Sequence, residues 1–257
     1  MKILVIGDIV GRPGRDFLRN NALKIKRDLA IDFFVANGEN SAGGSGITLD
    51  TAKDLFEAGI DVVTSGDHVF KKKEIKEVFS KYSVIRPLNY GRQVLGQGYI
   101  IKQAGDSKVA VINLLGRVFM QPADCPFNAV MSVLEDIKKC AKIIIVDFHA
   151  EATSEKVAMG YFLADKVTAV LGTHTHIPTA DERIINGTTA YITDLGMTGS
   201  FDSVLGREKA NVIEKFVTNM PVKFNLSQND VRMQGVVIDA DETTGHAVSV
   251  RRVEIKG

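Results

Sequence analysis

Short runs rich in valine and isoleucine recur along this chain, and through its first third each is followed by a segment of helical period. KILVIG (2–7) precedes a stretch with Phe17, Leu18, Ala22, Ile25 and Leu29 at helical spacing. DFFVAN (32–37) precedes LDTAKDLFEAG (49–59), where Thr48 is placed to cap a helix and Gly59 to end it. IDVVTS (60–65) precedes KKEIKEVFSKY (72–82). Such a β–α–β–α order calls for parallel strands with helices packed on the sheet faces.

The pattern changes in the middle. GQGYIIKQ, the turn AGDS and KVAVINLLG predict a hairpin. NAVMSVLEDIKKC predicts a helix with Val130, Val133, Leu134 and Ile137 facing inward. KIIIVDF and TAVLG read as buried strands around a helix near 154–163, and MQGVVIDADETTGHAVSVRRVEI as a second hairpin. Parallel units first and hairpins later imply an α/β fold with two mixed β-sheets face to face and helices outside. No internal repeat, low-complexity tract or linker interrupts the 257 residues, so a single domain spanning 1–257 is expected.

The residues that close the strands carry the chemistry. KILVIG runs into Asp8, FFVANG into Glu39 and Asn40, DVVTSG into Asp67 and His68, KIIIVDF into His149, and TAVLG, after Thr173, into His174 and His176. The carboxyl ends of parallel strands form the rim where ligands sit, so these positions should converge. Each has a structural alternative: a turn or cap for Asp8, a cap near Lys71 for Asp67, solvated loop for Glu39-Asn40, a core histidine for His149. Yet four of the five histidines stand at such ends, and only His246, in the last hairpin turn, does not. In LGTHTHIP, Pro178 disfavours helix at Ile177, so His174 and His176 are expected on extended chain, sharing a side. Such a pair could grip one metal or serve two adjacent ones.

Three imidazoles, three carboxylates and the Asn40 amide exceed one tetrahedral site, and mixed nitrogen and oxygen ligation is not the all-oxygen set of magnesium or calcium. Two divalent transition ions would use the set fully; iron, manganese and zinc are all compatible. GGSG at 43–46 lacks the Gly-Lys-Ser/Thr of a P-loop and reads as a flexible turn beside Glu39. Arg12 and Arg15 lie close enough to Asp8 in sequence to reach a phosphate, though solvated first-turn arginines would look the same.

The order Asp8, Glu39-Asn40, Gly66-Asp67-His68, His149, His174-Thr-His176 resembles the calcineurin-like metallophosphoesterases. MKILVIGDIVGRPGR, NGENSAGGSGIT, NLLGRVFM and LGTHTHIPTAD resemble their YmdB-type bacterial branch, in which Val10 replaces the superfamily's first histidine. The resemblance implies a four-layer αββα sandwich and a 2′,3′-cyclic nucleotide phosphodiesterase. It implies Asp8, Glu39, Asn40 and His176 around one metal, and Glu39, residue 67, His149 and His174 around the other, with Glu39 bridging. His68 would bind neither ion and act as general acid, while a metal-bridging hydroxide attacks phosphorus. Two departures stand out: residue 67 is Asp where the family has Asn, and Phe70-Lys71 stands where an aromatic–Asp pair is usual.

Bulk properties narrow the partners. Lys plus Arg is 32 against 31 for Asp plus Glu, a net charge of +1, which gives no extended nucleic-acid footprint but permits a small phosphodiester or cyclic nucleotide. No apolar run reaches membrane length. Cys125 and Cys140 form no metal or disulfide pattern and read as thiols of a reducing cytoplasm. The terminal hairpin is compatible with a homo-oligomer. Two other readings compete: an amidohydrolase, whose HxH normally leaves the first strand of a TIM barrel, and a metal-bound regulatory protein that recognises a nucleotide with little turnover.

Overall fold

The computed structural model describes residues 1–91 and 93–257. The chain begins with β1 (Lys2–Ile9), α1 (Gly11–Asp28), β2 (Phe33–Asn37), α2 (Leu49–Glu57), β3 (Val62–Thr64) and α3 (Ile75–Lys81). It continues through β4 (Tyr99–Ala104), β5 (Ser107–Leu115), α4 (Pro126–Lys138), β6 (Ile143–His149), α5 (Thr153–Leu163) and β7 (Ala169–Thr173). It ends with β8 (Arg183–Ile185), β9 (Thr189–Ile192), β10 (Met197–Ser200), α6 (Lys209–Thr218), β11 (Val231–Ala240) and β12 (Ala247–Lys256).

Two six-stranded mixed sheets result, in the orders β12-β11-β10-β1-β2-β3 and β4-β5-β6-β7-β9-β8. Strand alternation builds three apolar layers. Ile3, Val5, Phe33 and Val35 face Val109, Val111, Ile143 and Ile145 between the sheets. Leu4, Ile6, Phe34 and Ala36 pack outward under Leu18, Ala22 and Leu55 of α1 and α2. On the far side, Ile144, Val146 and Phe148 meet Val130, Leu134 and Met159 of α4 and α5. The α/β architecture of facing mixed sheets with helices outside is therefore present. Thr48 caps α2 through a reciprocal pair of hydrogen bonds with Thr51.

Four elements carried no readable signal. β10 is MTGS, without a valine or isoleucine; it is a strand because β1 and β11 flank it and bury it. β8 and β9 are only three and four residues long. In α6 only Val212 is buried, so its apolar residues mark no core face. β10 also matters for the site. β11 pairs antiparallel with β1 from Lys2 to Ile6, and β10 then takes over in parallel at Asp8. The carboxyl end of β1 is thus enclosed between two parallel neighbours, β2 and β10.

Candidate metal centre

All eight candidate residues come together. Asp8, the penultimate residue of β1, is fully buried and accepts a hydrogen bond from the His174 backbone N–H at 3.1 Å. Glu39 and Asn40 follow β2 and are buried, and Asp67 and His68 follow β3. His149 ends β6. Asp67 does not cap a helix, since α3 starts only at Ile75.

One group comprises Glu39, Asp67, His149 and His174, whose ligand atoms all lie within 4.8 Å of one another. His149 Nε2 stands 3.1 Å from Glu39 Oε1, 3.4 Å from Asp67 Oδ1 and 3.0 Å from His174 Nδ1. A second group adjoins it: Asn40 Nδ2 is 3.4 Å from Asp8 Oδ1, 3.3 Å from Glu39 Oε1 and 3.2 Å from His176 Nε2. Glu39 touches both groups. The two histidines of HxH thus face different groups. The expectation of extended chain does not hold here: both lie past the end of β7 with positive φ, 106° at His174 and 65° at His176. That turned backbone sends the rings apart.

Each imidazole has its outward nitrogen engaged, the arrangement that orients a metal-binding histidine. His149 Nδ1 meets Thr173 Oγ1 at 2.9 Å, and that hydroxyl donates to Asp147 Oδ1 at 2.7 Å. His174 Nε2 is 3.2 Å from Glu151 Oε2, and His176 Nδ1 donates to the Leu205 carbonyl at 3.4 Å. Asp147, Asn37, Thr173 and Glu151 were not singled out in the sequence. Asp147 did leave a signal: it is a carboxylate two residues before His149, on a strand otherwise apolar on both faces.

The residues fit a cation on three counts. Asp67 Oδ1 is buried without a hydrogen-bond partner among the described residues. A Cβ at Gly66 would collide with the His149 ring and Glu39 Oε2, so only glycine lets this turn approach the cluster. The electrostatics also lack a positive charge. Burial, reinforced by Glu39 and Asp194, pushes the Asp8 carboxyl up to about 8. Burial would lower His149, but Glu39, Asp67 and Asp8 outweigh it and hold the ring well above its ordinary value. The uncompensated acids draw protons to the centre, and a divalent ion would displace them. Burial lowers His174, to about 4, and also lowers His176, so both are neutral ligand-ready rings. One group needs a rotation: the Asn40 NH₂ faces the ligand atoms while Oδ1 pairs with His68 Nδ1 at 2.9 Å. A ligating amide presents its oxygen, so binding a cation would turn the amide and release the bond between Oδ1 and His68 Nδ1.

His68 stands at the open edge, a third exposed. Its backbone N–H donates to Glu39 Oε2 at 3.0 Å, and its Nε2 lies 3.7 Å from Asp67 Oδ2. The arginines have structural partners: Arg12 pairs with Asp16, and Arg15 with Asp54 and the Ser41 carbonyl. The glycine turn is not loose. Arg207 holds the Gly43 and Gly44 carbonyls, and Gly46 N–H closes back on Glu39 O. Val10 is buried against Gly199 and Gly206. His246 is exposed, away from the centre. No described helix is long and apolar enough to cross a membrane.

The YmdB-like protein family matches residues 4–253. The chain is 42% identical to the 2′,3′-cyclic-nucleotide 2′-phosphodiesterase of Bacillus subtilis, covering 99% of this chain and 97% of that protein. A hypothetical protein from Thermus thermophilus superposes with a TM-score of 0.94 at 35% identity, covering 100% of this chain and 99% of the other. A phosphatase from Mycoplasma pneumoniae gives 0.93 at 33% identity, covering 100% and 93%.

Proposed function

The chain belongs to the YmdB-like protein family, and from that premise we propose that it is a metal-dependent phosphodiesterase acting on small phosphodiesters, 2′,3′-cyclic nucleotides foremost. The observation that carries this reading is the convergence of Asp8, Glu39, Asn40, Asp67, His149, His174 and His176 from five strand ends, with His68 at the open edge. Asp8, Asn40 and His176 would hold one divalent ion, Asp67, His149 and His174 the other, with Glu39 shared; iron or manganese is the expected metal and zinc the alternative. Bound there, such ions supply Lewis acidity toward the phosphate oxygens and lower the pKa of water.

The rest falls to the chain. Thr173, Glu151 and the Leu205 carbonyl aim the three imidazoles inward. His68 is held by its backbone bond to Glu39, with Nε2 on the side of Asp67 Oδ2. Its Nδ1 lies 3.6 Å from Glu39 Oε1 and its Nε2 3.7 Å from Asp67 Oδ2. In hydrolysis the water gives up one proton to solvent as its oxygen forms the new P–O bond. One P–O bond to ribose breaks, the His68 Nε2 proton passes to the departing ribose oxygen, and solvent returns a proton to His68.

His68→Ala tests this. It should retain bound metal yet lose roughly 10²–10⁴-fold in kcat on a cyclic nucleotide. Bis-p-nitrophenyl phosphate, whose leaving group hardly needs a proton, should lose much less. Equal losses on both substrates would remove the acid role, and absence of any phosphodiester turnover by metal-loaded protein would favour a regulatory, nucleotide-recognising protein.

A further inference from the structure

Next to the ligand atoms lies a groove of about 490 Å³, lined by Asp67, Phe70, Lys71, Tyr90, Leu95 and Gln121 among others. That volume is ordinary for a small-ligand site, about 300–1,000 Å³. Asp67 joins the two regions. Its Oδ1 faces His149, while its Oδ2 accepts from Gln121 Nε2 at 3.3 Å and lies nearest His68 Nε2. The groove therefore opens on the side of His68, where the leaving group of a bound phosphodiester must lie.

Its walls suit an aromatic group. Phe70 is 43% exposed and Leu95 55% exposed, beside a centre that is otherwise acidic and polar. The Phe70 ring is buttressed by Tyr90 at 5.9 Å and by the edge of Phe79 at 6.4 Å. Burial, then the charges of Asp67 and Glu39, push the Tyr90 phenol up to about 12, so it remains a neutral hydroxyl. Lys71, exposed at the groove, places a cation there, which favours approach of an anion.

We propose that this groove is the base-binding subsite: the nucleobase of a cyclic nucleotide stacks on Phe70 while its phosphate lies at the ligand cluster. The proposal rests on the phosphodiesterase reading of that cluster. It carries a corollary about selectivity. Every base offers a π-face, so stacking tolerates all four. Strong rejection of a wrong base needs buried polar groups that it would leave unpaired; Lys71 and Gln121 are exposed, Tyr90 is half-buried, and Asp67 Oδ2 already accepts from Gln121. The subsite distinguishes nucleotides from base-free esters rather than one base from another.

The test uses metal-loaded protein with the four 2′,3′-cyclic nucleotides and glycerol 1,2-cyclic phosphate, which keeps the five-membered phosphodiester but has no base. The four nucleotides should agree in kcat/KM within about tenfold, and the base-free ester should fall on the order of tenfold or more below them. Phe70→Ala should raise KM for the nucleotides on the order of tenfold, with kcat little changed and the base-free ester unaffected. Phe70→Leu, which keeps apolar volume without the π-face, should move the same way and replaces the alanine variant if that does not fold. Equal effects on both substrate types, or no preference for nucleotides in the parent, would overturn the subsite. If no phosphodiester is turned over, the catalytic reading fails, and calorimetry with adenosine 3′-monophosphate and inorganic phosphate decides the subsite by itself. Tighter nucleotide binding that Phe70→Ala abolishes supports it; equal binding of the two overturns it.

Discussion

Thr173→Val removes one buried hydroxyl and little volume, and its consequence for metal binding can be worked out atom by atom. The Thr173 hydroxyl has one proton, which it donates to Asp147 Oδ1 at 2.7 Å; toward His149 Nδ1, at 2.9 Å, it must accept. Nδ1 therefore carries hydrogen, and the Nε2 lone pair is left for a cation beside Glu39, Asp67 and His174. In the valine variant the nearest remaining polar group to Nδ1 is Asn37 Nδ2 at 3.4 Å, a donor. A donor there favours the other tautomer, with the proton on Nε2, the atom that has to bind. The substitution should cost about 10–100-fold in metal affinity, which agrees with about 1.5–3 kcal/mol for a hydrogen bond involving a charged group. Asp147 keeps Thr64 and Asn37 Nδ2 on Oδ2 but loses its Thr173 partner on Oδ1, so the metal-free fold should lose about 1–3 kcal/mol, the cost of one unpaired buried oxygen. Competition with a chelator reads the affinity, urea unfolding of chelated protein reads the fold, and long-range ¹H–¹⁵N correlation reads the tautomer. Thr173→Ser, which keeps the hydroxyl, should restore all three. A valine variant that loses stability yet holds metal as tightly as its parent would refute the tautomer argument.

Asp67→Asn raises the charge of a two-ion centre by one; it should shorten metal retention against a chelator while raising kcat/KM, and an unchanged pair of values would show that Asp67 does not tune the centre. Glu39→Gln weakens the one carboxylate shared by both groups and should reduce bound metal, measured by elemental analysis, more than Asp8→Asn does. Metal-free protein should lose stability as pH rises from 6.5 to 8, because folded Asp8, at about 8, and folded His149, raised, both hold protons that the unfolded chain releases. Each proton so held contributes on the order of 1.4 kcal/mol per pH unit, and denaturant midpoints of chelated protein that rise across this window would contradict the assignment. Lys156→Met strips the cation from a fully buried pair, Lys156 Nζ to Asp194 Oδ2 at 2.7 Å, and should cost about 3–5 kcal/mol in urea unfolding. A cost below about 1 kcal/mol would show that Asp194 tolerates burial without it.

The layers of this fold were legible because core strands buried on both faces read as continuous apolar runs, and helices on a sheet read by their period. What escaped was held in place by neighbours rather than by its own pattern. MTGS is a strand through β1 and β11, and α6 has little core face to show. The candidate ligands were legible for a different reason: charged and imidazole side chains abruptly end apolar runs, and little else explains buried groups of that kind there. The turn in HTH was not, since nothing in two histidines and a threonine announces positive φ at both histidines. Asp194 supplies the physical cause, because it fixes the backbone between them by accepting from Thr175 N–H at 3.1 Å and from Gly196 N–H at 2.9 Å.

Lys156 and Asp194 also show how the fold and the centre are bound together. Asp194 is one of the charges that push Asp8 up, so the anion that shapes the HTH turn also makes ionised Asp8 more costly. Lys156 offsets Asp194 from the helix side, and a divalent ion is the natural counterpart on the side of Asp8. Without the divalent ion Asp8 is left to a proton, and without Lys156 Asp194 is left uncompensated. If so, Lys156→Met should cost more in metal-free protein than in metal-loaded protein, because a bound ion screens Asp8 from Asp194 and the two losses are coupled. Unfolding the variant and its parent with and without metal closes that cycle. Equal costs in both states would mean that the buried pair stabilises the sandwich alone and has no hold on the centre.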